Sequence, residues 1–316
     1  MIVAKRASDS RSDYRPTLFY NSAREAFRDF LANPAGPKDG GVLLPSFIGW
    51  SPREGSGVFD PILDLNLTAD FYQLNRDLTV DLVDLAQRLQ RGHYRALVLI
   101  HYYGRTDPGA DQVRDLARTQ GVLLVEDLAH GFFSAAVGGL AGSFGDVALY
   151  SLHKMFPIPS GGVAVYADSS LIAGQKSTAH GLADIVLSYD WRHIAATRRE
   201  NFLHATARLR ELQQRGSPLE LVWPRLSEGD VPQTLPVYVT GEGRDAVYER
   251  MNAAGFGVVS LYHTLVPQVD PEFVVSHWAA AHVLNLPVHQ EVSRDALDQL
   301  ISALEACLAD VGTAKR

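Results

Sequence analysis

The strongest constraint on the fold is a set of short, almost unbroken apolar runs in the first half of the chain, at 96–103, 122–127, 146–151 and 162–167. A strand with one wet face alternates apolar and polar residues. A run that does not alternate is buried on both faces, as in a parallel sheet covered by helices. Helical patterns lie between these runs. Residues 79–89 place Leu82, Leu85, Ala86 and Leu89 on one face, and 111–120 is stopped by Gly121. Upstream, 23–32 has helical spacing behind Asn21 and Ser22, either of which could cap it. Residues 41–45 read as a short buried strand and 59–65 as another. The βαβα order predicts an α/β fold with a mainly parallel central sheet flanked by helices.

The chain has 316 residues, enough for two cores. A long helix at 195–214 is followed by a break at Gly216-Ser217-Pro218, after which the pattern restarts on a smaller scale. A strand at 235–239, a helix at 244–254 ended by Gly255, strands at 257–262 and 283–287, and a closing helix at 293–308 are expected. The division is therefore 1–215, a large α/β domain whose residues 1–15 form an N-terminal arm, and 216–316, a small α+β domain.

Several function classes are disfavoured. The formal net charge of −7 argues against nucleic acid and anionic membrane as partners. The single cysteine, Cys307, can build neither a disulfide framework nor a cysteine metal site, and no H-E-x-x-H spacing occurs, so no metal is expected. The polar, basic start lacks an apolar h-region and no run reaches membrane-spanning length, so a cytoplasmic location is expected.

The chemistry-bearing residues cluster at strand ends. Lys154 follows the apolar run into Ser151-Leu152-His153, and Met155-Phe156-Pro157-Ile158-Pro159 beyond it is stiffened by two prolines. Taken alone it reads equally well as a lysine snorkelling from a strand end. Asp127 shifts that balance, because ligand sites in open α/β sheets form beyond the carboxyl ends of strands. A lysine amine and a carboxylate there suit pyridoxal 5'-phosphate (PLP). The amine holds the cofactor, and the carboxylate pairs with the pyridine nitrogen. His130 could lie flat against the ring, or be an ordinary hydrogen-bonded loop histidine. Ser22 and the Ala23 amide open the first helix, the geometry that binds phosphate, and Ser151 could add a hydroxyl. Gly161-Gly162 either lets backbone pass close to something bulky or forms a turn. His101 and Tyr103 close another buried strand and are candidates for substrate contact, or simply its end.

Several segments in order resemble the DegT/StrS family of PLP-dependent sugar aminotransferases. They are Phe19-Tyr20-Asn21-Ser22-Ala23-Arg24, Val42-Leu43-Leu44-Pro45-Ser46-Phe47, His101-Tyr102-Tyr103-Gly104, Val125-Glu126-Asp127-Leu128-Ala129-His130, Phe144-Gly145-Asp146 and Leu284-Asn285-Leu286-Pro287-Val288-His289. The resemblance implies the fold-type-I PLP-dependent transferase architecture of the aspartate aminotransferase superfamily. It also implies a homodimer with shared active sites and transfer of an amino group from an amino acid, expected to be L-glutamate, to a nucleotide-linked keto-deoxysugar. It gives Lys154 the covalent role, Asp127 the pyridine nitrogen, His130 the ring face, and Ser22, Ala23 and Ser151 the phosphate. The chain departs from the pattern in two places. The spacing from Ser151 to Lys154 is compact, and Tyr189-Asp190-Trp191-Arg192 stands where a G-x-N-x-R segment is usual. The second departure keeps open a cyclitol or other small ketone as substrate. His153, beside Lys154, keeps open a sugar dehydratase that uses histidine in place of lysine.

Overall fold

The computed structural model describes residues 15–33, 39–172, 174–241 and 243–313. The expected N-terminal arm lies outside the described residues except for Arg15, whose guanidinium donates to the carbonyls of Gly142 and Gly145.

In chain order, β1 (Thr17–Tyr20) leads into α1 (Ala23–Ala32), then β2 (Gly41–Pro45), α2 (Asp60–Asp64), β3 (Ala69–Tyr72), α3 (Leu82–Arg91), β4 (Tyr94–Ile100) and α4 (Ala110–Thr119). Next come β5 (Leu123–Asp127), α5 (Phe132–Ala136), β6 (Val147–Ser151), β7 (Gly162–Tyr166), α6 (Leu182–Leu187) and α7 (Trp191–Gln214). The remainder is β8 (Leu219–Leu221), β9 (Thr234–Val239), α8 (Arg244–Ala253), α9 (Val274–His282), β10 (Val283–Pro287) and α10 (Arg294–Thr313).

The central sheet has seven strands in the order β1-β7-β6-β5-β4-β2-β3. β2, β3, β4, β5 and β6 pair in parallel, whereas β7 is antiparallel to both β6 and β1. Only β7 therefore runs against the rest, and its first residue lies at the same edge as the last residues of the others. β2 and β6 are buried along their whole length, the state that unalternating apolar sequence demands.

The expected strand at 59–65 is instead α2. Pro61 occupies the first helical turn, where its missing N–H costs nothing, and the strand that pairs with β2 is β3. The expected strand at 257–262 contributes one isolated bridge, Val259 to Asn285. Its Gly257 and Tyr262 both take positive φ, which interrupts extended backbone. β1, β3, β8, α5, α6 and α9 are short, and the sequence pattern does not single them out.

Beyond the break at 216–218, β8, β9 and β10 form an antiparallel three-stranded sheet in the order β10-β9-β8. α10 packs on α7 and α8. One hydrophobic cluster runs from Tyr20, Leu97 and Val98 of the first sheet through Trp223 to Tyr238, Leu286 and Leu304. A smaller cluster under α5 and the start of α7 gathers Leu128, Phe133, Leu152, Phe156 and Ile194. Among the described residues no helix is long and apolar enough to cross a membrane.

Candidate active site

One sheet edge collects the candidate residues. β1 ends just before Ser22, β5 ends at Asp127, β6 ends at Ser151, and β4 runs into the turn 102–104. In the register Gly162 lies between Tyr20 on one side and Ser151 on the other. The glycine is required there, because a Cβ would overlap the Ser22 carbonyl and the Ala23 nitrogen. This close approach sets the start of α1 beside the end of β6. Of the two meanings open for Gly161-Gly162, close backbone passage is the one found at Gly162.

Ser22 is the cap of α1. Its hydroxyl oxygen accepts the Glu25 N–H at 3.1 Å, and the Glu25 carboxylate accepts the Asn21 N–H at 3.1 Å. With its oxygen used as acceptor, the Ser22 O–H is left to donate to an anion alongside the first-turn amides, Ala23 included. Ser151 is buried, 3.2 Å from His153 Nδ1.

Asp127 is fixed by the Ala129 N–H, which donates to Oδ1 at 2.8 Å. Lys154 lies in the 3-10 turn after β6 and points its Nζ to within 3.4 Å of His130 Nε2. Burial pushes the Asp127 carboxyl up and the Lys154 amine down, and each one's charge opposes the other's shift. Lys154 keeps solvent exposure although protein atoms crowd its amine. Glu54 adds negative potential at Lys154. His153 turns back onto Ser151, so it is Lys154 that meets Asp127 and His130.

His130 is buried, and burial together with Lys154 holds its pKa well below the usual imidazole range. One ring face stacks on Tyr103 at 5.7 Å and 7°, and Tyr262 meets the ring edge-on at 6.0 Å. Its Nε2 edge, rather than a broad face, is directed at Lys154.

Two expected substrate contacts are corrected. His101 is buried with both nitrogens engaged: Nε2 lies 2.9 Å from Glu126 Oε1, and Nδ1 accepts the Asp107 N–H at 3.1 Å. Tyr103 is also fully buried, its hydroxyl 3.5 Å from the Leu261 carbonyl. Both support the site from beneath, because the strand end turns down into the core through Tyr103, whose φ is +55°.

Tyr262 was not singled out by sequence reasoning. It packs on Phe47, Tyr102, Tyr103 and His130, and burial, with a smaller contribution from Asp127, raises its phenol pKa. Its position comes from the second half of the chain, and no local motif marks it. Tyr189 to Arg192 is used structurally: Asp190 caps α7 by accepting the His193 N–H at 3.0 Å, and Trp191 Nε1 donates to the Val186 carbonyl at 2.7 Å. Among the described residues no group of three or more His, Cys, Asp and Glu could hold a metal ion.

Solved structures share this architecture. Helicobacter pylori PseC, an aminotransferase involved in pseudoaminic acid biosynthesis, aligns with a TM-score of 0.76 and 16% identity, covering 93% of this chain and 87% of that one. NtdA from Bacillus subtilis, with bound cofactor PMP, aligns with a TM-score of 0.72 and 17% identity over 93% of this chain and 74% of that one. The class is thus that of the fold-type-I aminotransferase fold, an α/β chain with a mostly parallel seven-stranded sheet. Residues 57–184 match the model of the DegT/DnrJ/EryC1/StrS aminotransferase family. A dTDP-4-dehydro-2,3,6-trideoxy-D-glucose 4-aminotransferase of Saccharopolyspora spinosa is 33% identical over 178 residues, which is 54% of this chain and 43% of that relative's own length.

Proposed function

We propose that the chain is a PLP-dependent aminotransferase of sugar biosynthesis, moving an amino group from L-glutamate to a nucleotide-linked keto-deoxysugar. The observation that carries the reading is the convergence of the Lys154 amine with the Asp127 carboxylate and His130 at the sheet edge where α1 begins. The donor set fits PLP: an amine for its aldehyde, a carboxylate for its pyridine nitrogen, and a helix N-terminus with two seryl hydroxyls for its phosphate. When bound, PLP supplies the electron sink that lets an amino acid lose its α-proton.

The residues then divide the work. Ser22, the Ala23 amide and Ser151 hold the phosphate. Asp127 keeps a proton at the pyridine nitrogen. Lys154 Nζ, its ammonium pKa lowered by burial, takes the donor's α-proton and returns it elsewhere, the task of a group that is base and acid in turn. His130 directs its Nε2 edge at that nitrogen, and its role against the ring face of the cofactor remains part of this reading.

The match with a keto-deoxysugar 4-aminotransferase supports the sugar class of substrate. A homodimer in the cytoplasm completes the reading. A cyclitol or other small ketone is the second substrate reading, since Tyr189 to Arg192 is committed to the start of α7. Purified protein mixed with PLP is expected to gain a visible absorbance band that L-glutamate discharges and a keto-sugar restores. Lys154→Ala removes the band. A wild-type protein that gives no band ends this reading.

A further inference from the structure

Arg198, on α7, is a buried cation that directs its donors at neutral oxygens. Its Nε donates to Gln290 Oε1 at 3.0 Å, and its Nη1 donates to the carbonyls of Pro232 and Gln233, each at 3.3 Å. The segment it grips docks onto the turn after β4. The Gln233 N–H donates to the Tyr103 carbonyl at 2.7 Å. Ser134 Oγ donates to the Gly104 carbonyl at 2.9 Å and accepts the Val231 N–H at 2.9 Å. Gly104 admits this contact because a Cβ there would overlap the Val231 carbonyl. Held this way, Tyr103 keeps its left-handed backbone and aims its N–H at His130 Nδ1, 3.2 Å away.

A backbone N–H can only donate, so Nδ1 of His130 must be the acceptor. In a neutral imidazole the proton then sits on Nε2, the atom 3.4 Å from Lys154 Nζ. His101 shows the same device: the Asp107 N–H donates to its Nδ1 and its Nε2 faces Glu126.

We infer that the Tyr103 N–H, held by Arg198 through Gln233, locks His130 in its Nε2–H tautomer, so that the imidazole offers a donor, not a base, to the Lys154 nitrogen. A donor aimed at that nitrogen needs its lone pair, so it favours the neutral, nucleophilic amine. Tyr103 and Arg198 are positioning residues, acting through His130. The catalytic meaning rests on Lys154 being the PLP amine, but the tautomer itself does not.

The test is made on the apoprotein. With 15N-labelled histidine, two-bond NMR correlations distinguish the ring nitrogen bearing a proton from the one bearing a lone pair. The His130 signals are identified by their loss in His130→Gln. A protonated Nε2 is expected, and a protonated Nδ1 or a tautomer mixture overturns the inference. Arg198→Met should convert His130 to a mixture while His101 keeps its pattern, and an unchanged His130 overturns the part assigned to Arg198. If loss of the His101 pattern shows that this variant does not fold, Arg198→Lys is measured instead. Lysine has a single nitrogen where arginine uses Nε for Gln290 and Nη1 for Pro232 and Gln233, so it cannot keep both sets of contacts in place, and the same mixture is expected.

Reductive methylation of Lys154 near neutral pH, followed by mass spectrometry, reads the donor itself. It should slow roughly 2- to 10-fold in His130→Leu, the scale of one hydrogen bond, and recover in His130→Gln. Equal rates in all three proteins overturn the donor role. A protein that fails to bind PLP yet shows pure Nε2–H would retire the proposed function alone.

Discussion

Gly162, the first residue of β7, lies so close to the Ser22–Ala23 peptide that no side chain fits between them. The contact couples the sheet to the start of α1, where the phosphate of the proposed cofactor would sit. Gly162→Ala must move backbone, because the clashing atoms belong to a capped helix end. A stability loss of about 1–3 kcal/mol is expected, the cost of overpacking a tight site. PLP affinity should fall further than stability alone explains. Denaturant unfolding and a PLP titration check the two, and intact PLP binding in a destabilised variant would disconnect the contact from the site.

Ser22→Ala separates capping from ligand binding. The lost bond to the Glu25 N–H should cost about 1 kcal/mol, the usual value of an N-cap serine. Ser22→Gly should cost only a few tenths, as a cap glycine does. Both variants lose the hydroxyl, so both should bind PLP equally poorly despite different melting temperatures. Tight PLP binding by Ser22→Gly would show that the hydroxyl plays no part in holding phosphate.

Much of this arrangement is legible in the sequence because burial writes directly onto it. The unalternating runs at 122–127 and 146–151 contain β5 and β6, and the residues that end them are Asp127 and Ser151. Where elements are short the pattern fails. β1 is four residues long and β8 three, too few for periodicity to mark. The apolar stretch at 59–65 carried the right composition for a strand, but Pro61 fits a helix's first turn better than a ladder. The roles of His101 and Tyr103 were not legible, because a strand end can point into solvent or into core, and φ at Tyr103 decides it. Tyr262 and Arg198 reach the site region from far along the chain, through packing that no local spacing encodes.

Asp127→Asn preserves shape and can still accept the Ala129 N–H, but it removes the negative charge facing Lys154. Burial already lowers the Lys154 pKa and Asp127 opposes that shift, so the variant's amine should titrate lower still. With cofactor bound, the pyridine nitrogen loses its anionic partner. The rate of the half-reaction with glutamate should fall on the order of 10²-fold or more, the scale of losing a group that manages a proton. Rapid-mixing absorbance measures that rate, and pH-dependent methylation of Lys154 measures the titration. A wild-type rate in the variant would remove Asp127 from the proposed mechanism.

Glu126, the residue before Asp127, is a buried carboxylate whose ionisation should contribute to stability against acid. Burial alone would raise its pKa, but His101 and the Gly145 and Gly142 N–H groups outweigh it, and the net direction is downward. Its two oxygens meet the N–H groups of Gly142 at 2.8 Å, Phe144 at 2.8 Å and Gly145 at 2.5 Å, besides His101 Nε2 at 2.9 Å. A carboxylate whose folded pKa lies below its unfolded value binds fewer protons in the folded state throughout that interval. Stability therefore rises with pH across it, is fully present above the ordinary carboxylate range, and is lost as pH falls through the folded value. Gln at this position offers an amide donor where only donors point inward. Glu126→Gln should cost about 2–5 kcal/mol at neutral pH, the penalty of leaving such buried groups unpaired. Below the ordinary carboxylate range the difference from wild type should shrink, because the wild-type carboxylate is itself becoming protonated. Urea unfolding from pH 7 down to the acid limit checks both. A gap that stays constant as pH falls would mean that the ionisation of Glu126 contributes nothing to holding the 142–145 loop against the sheet.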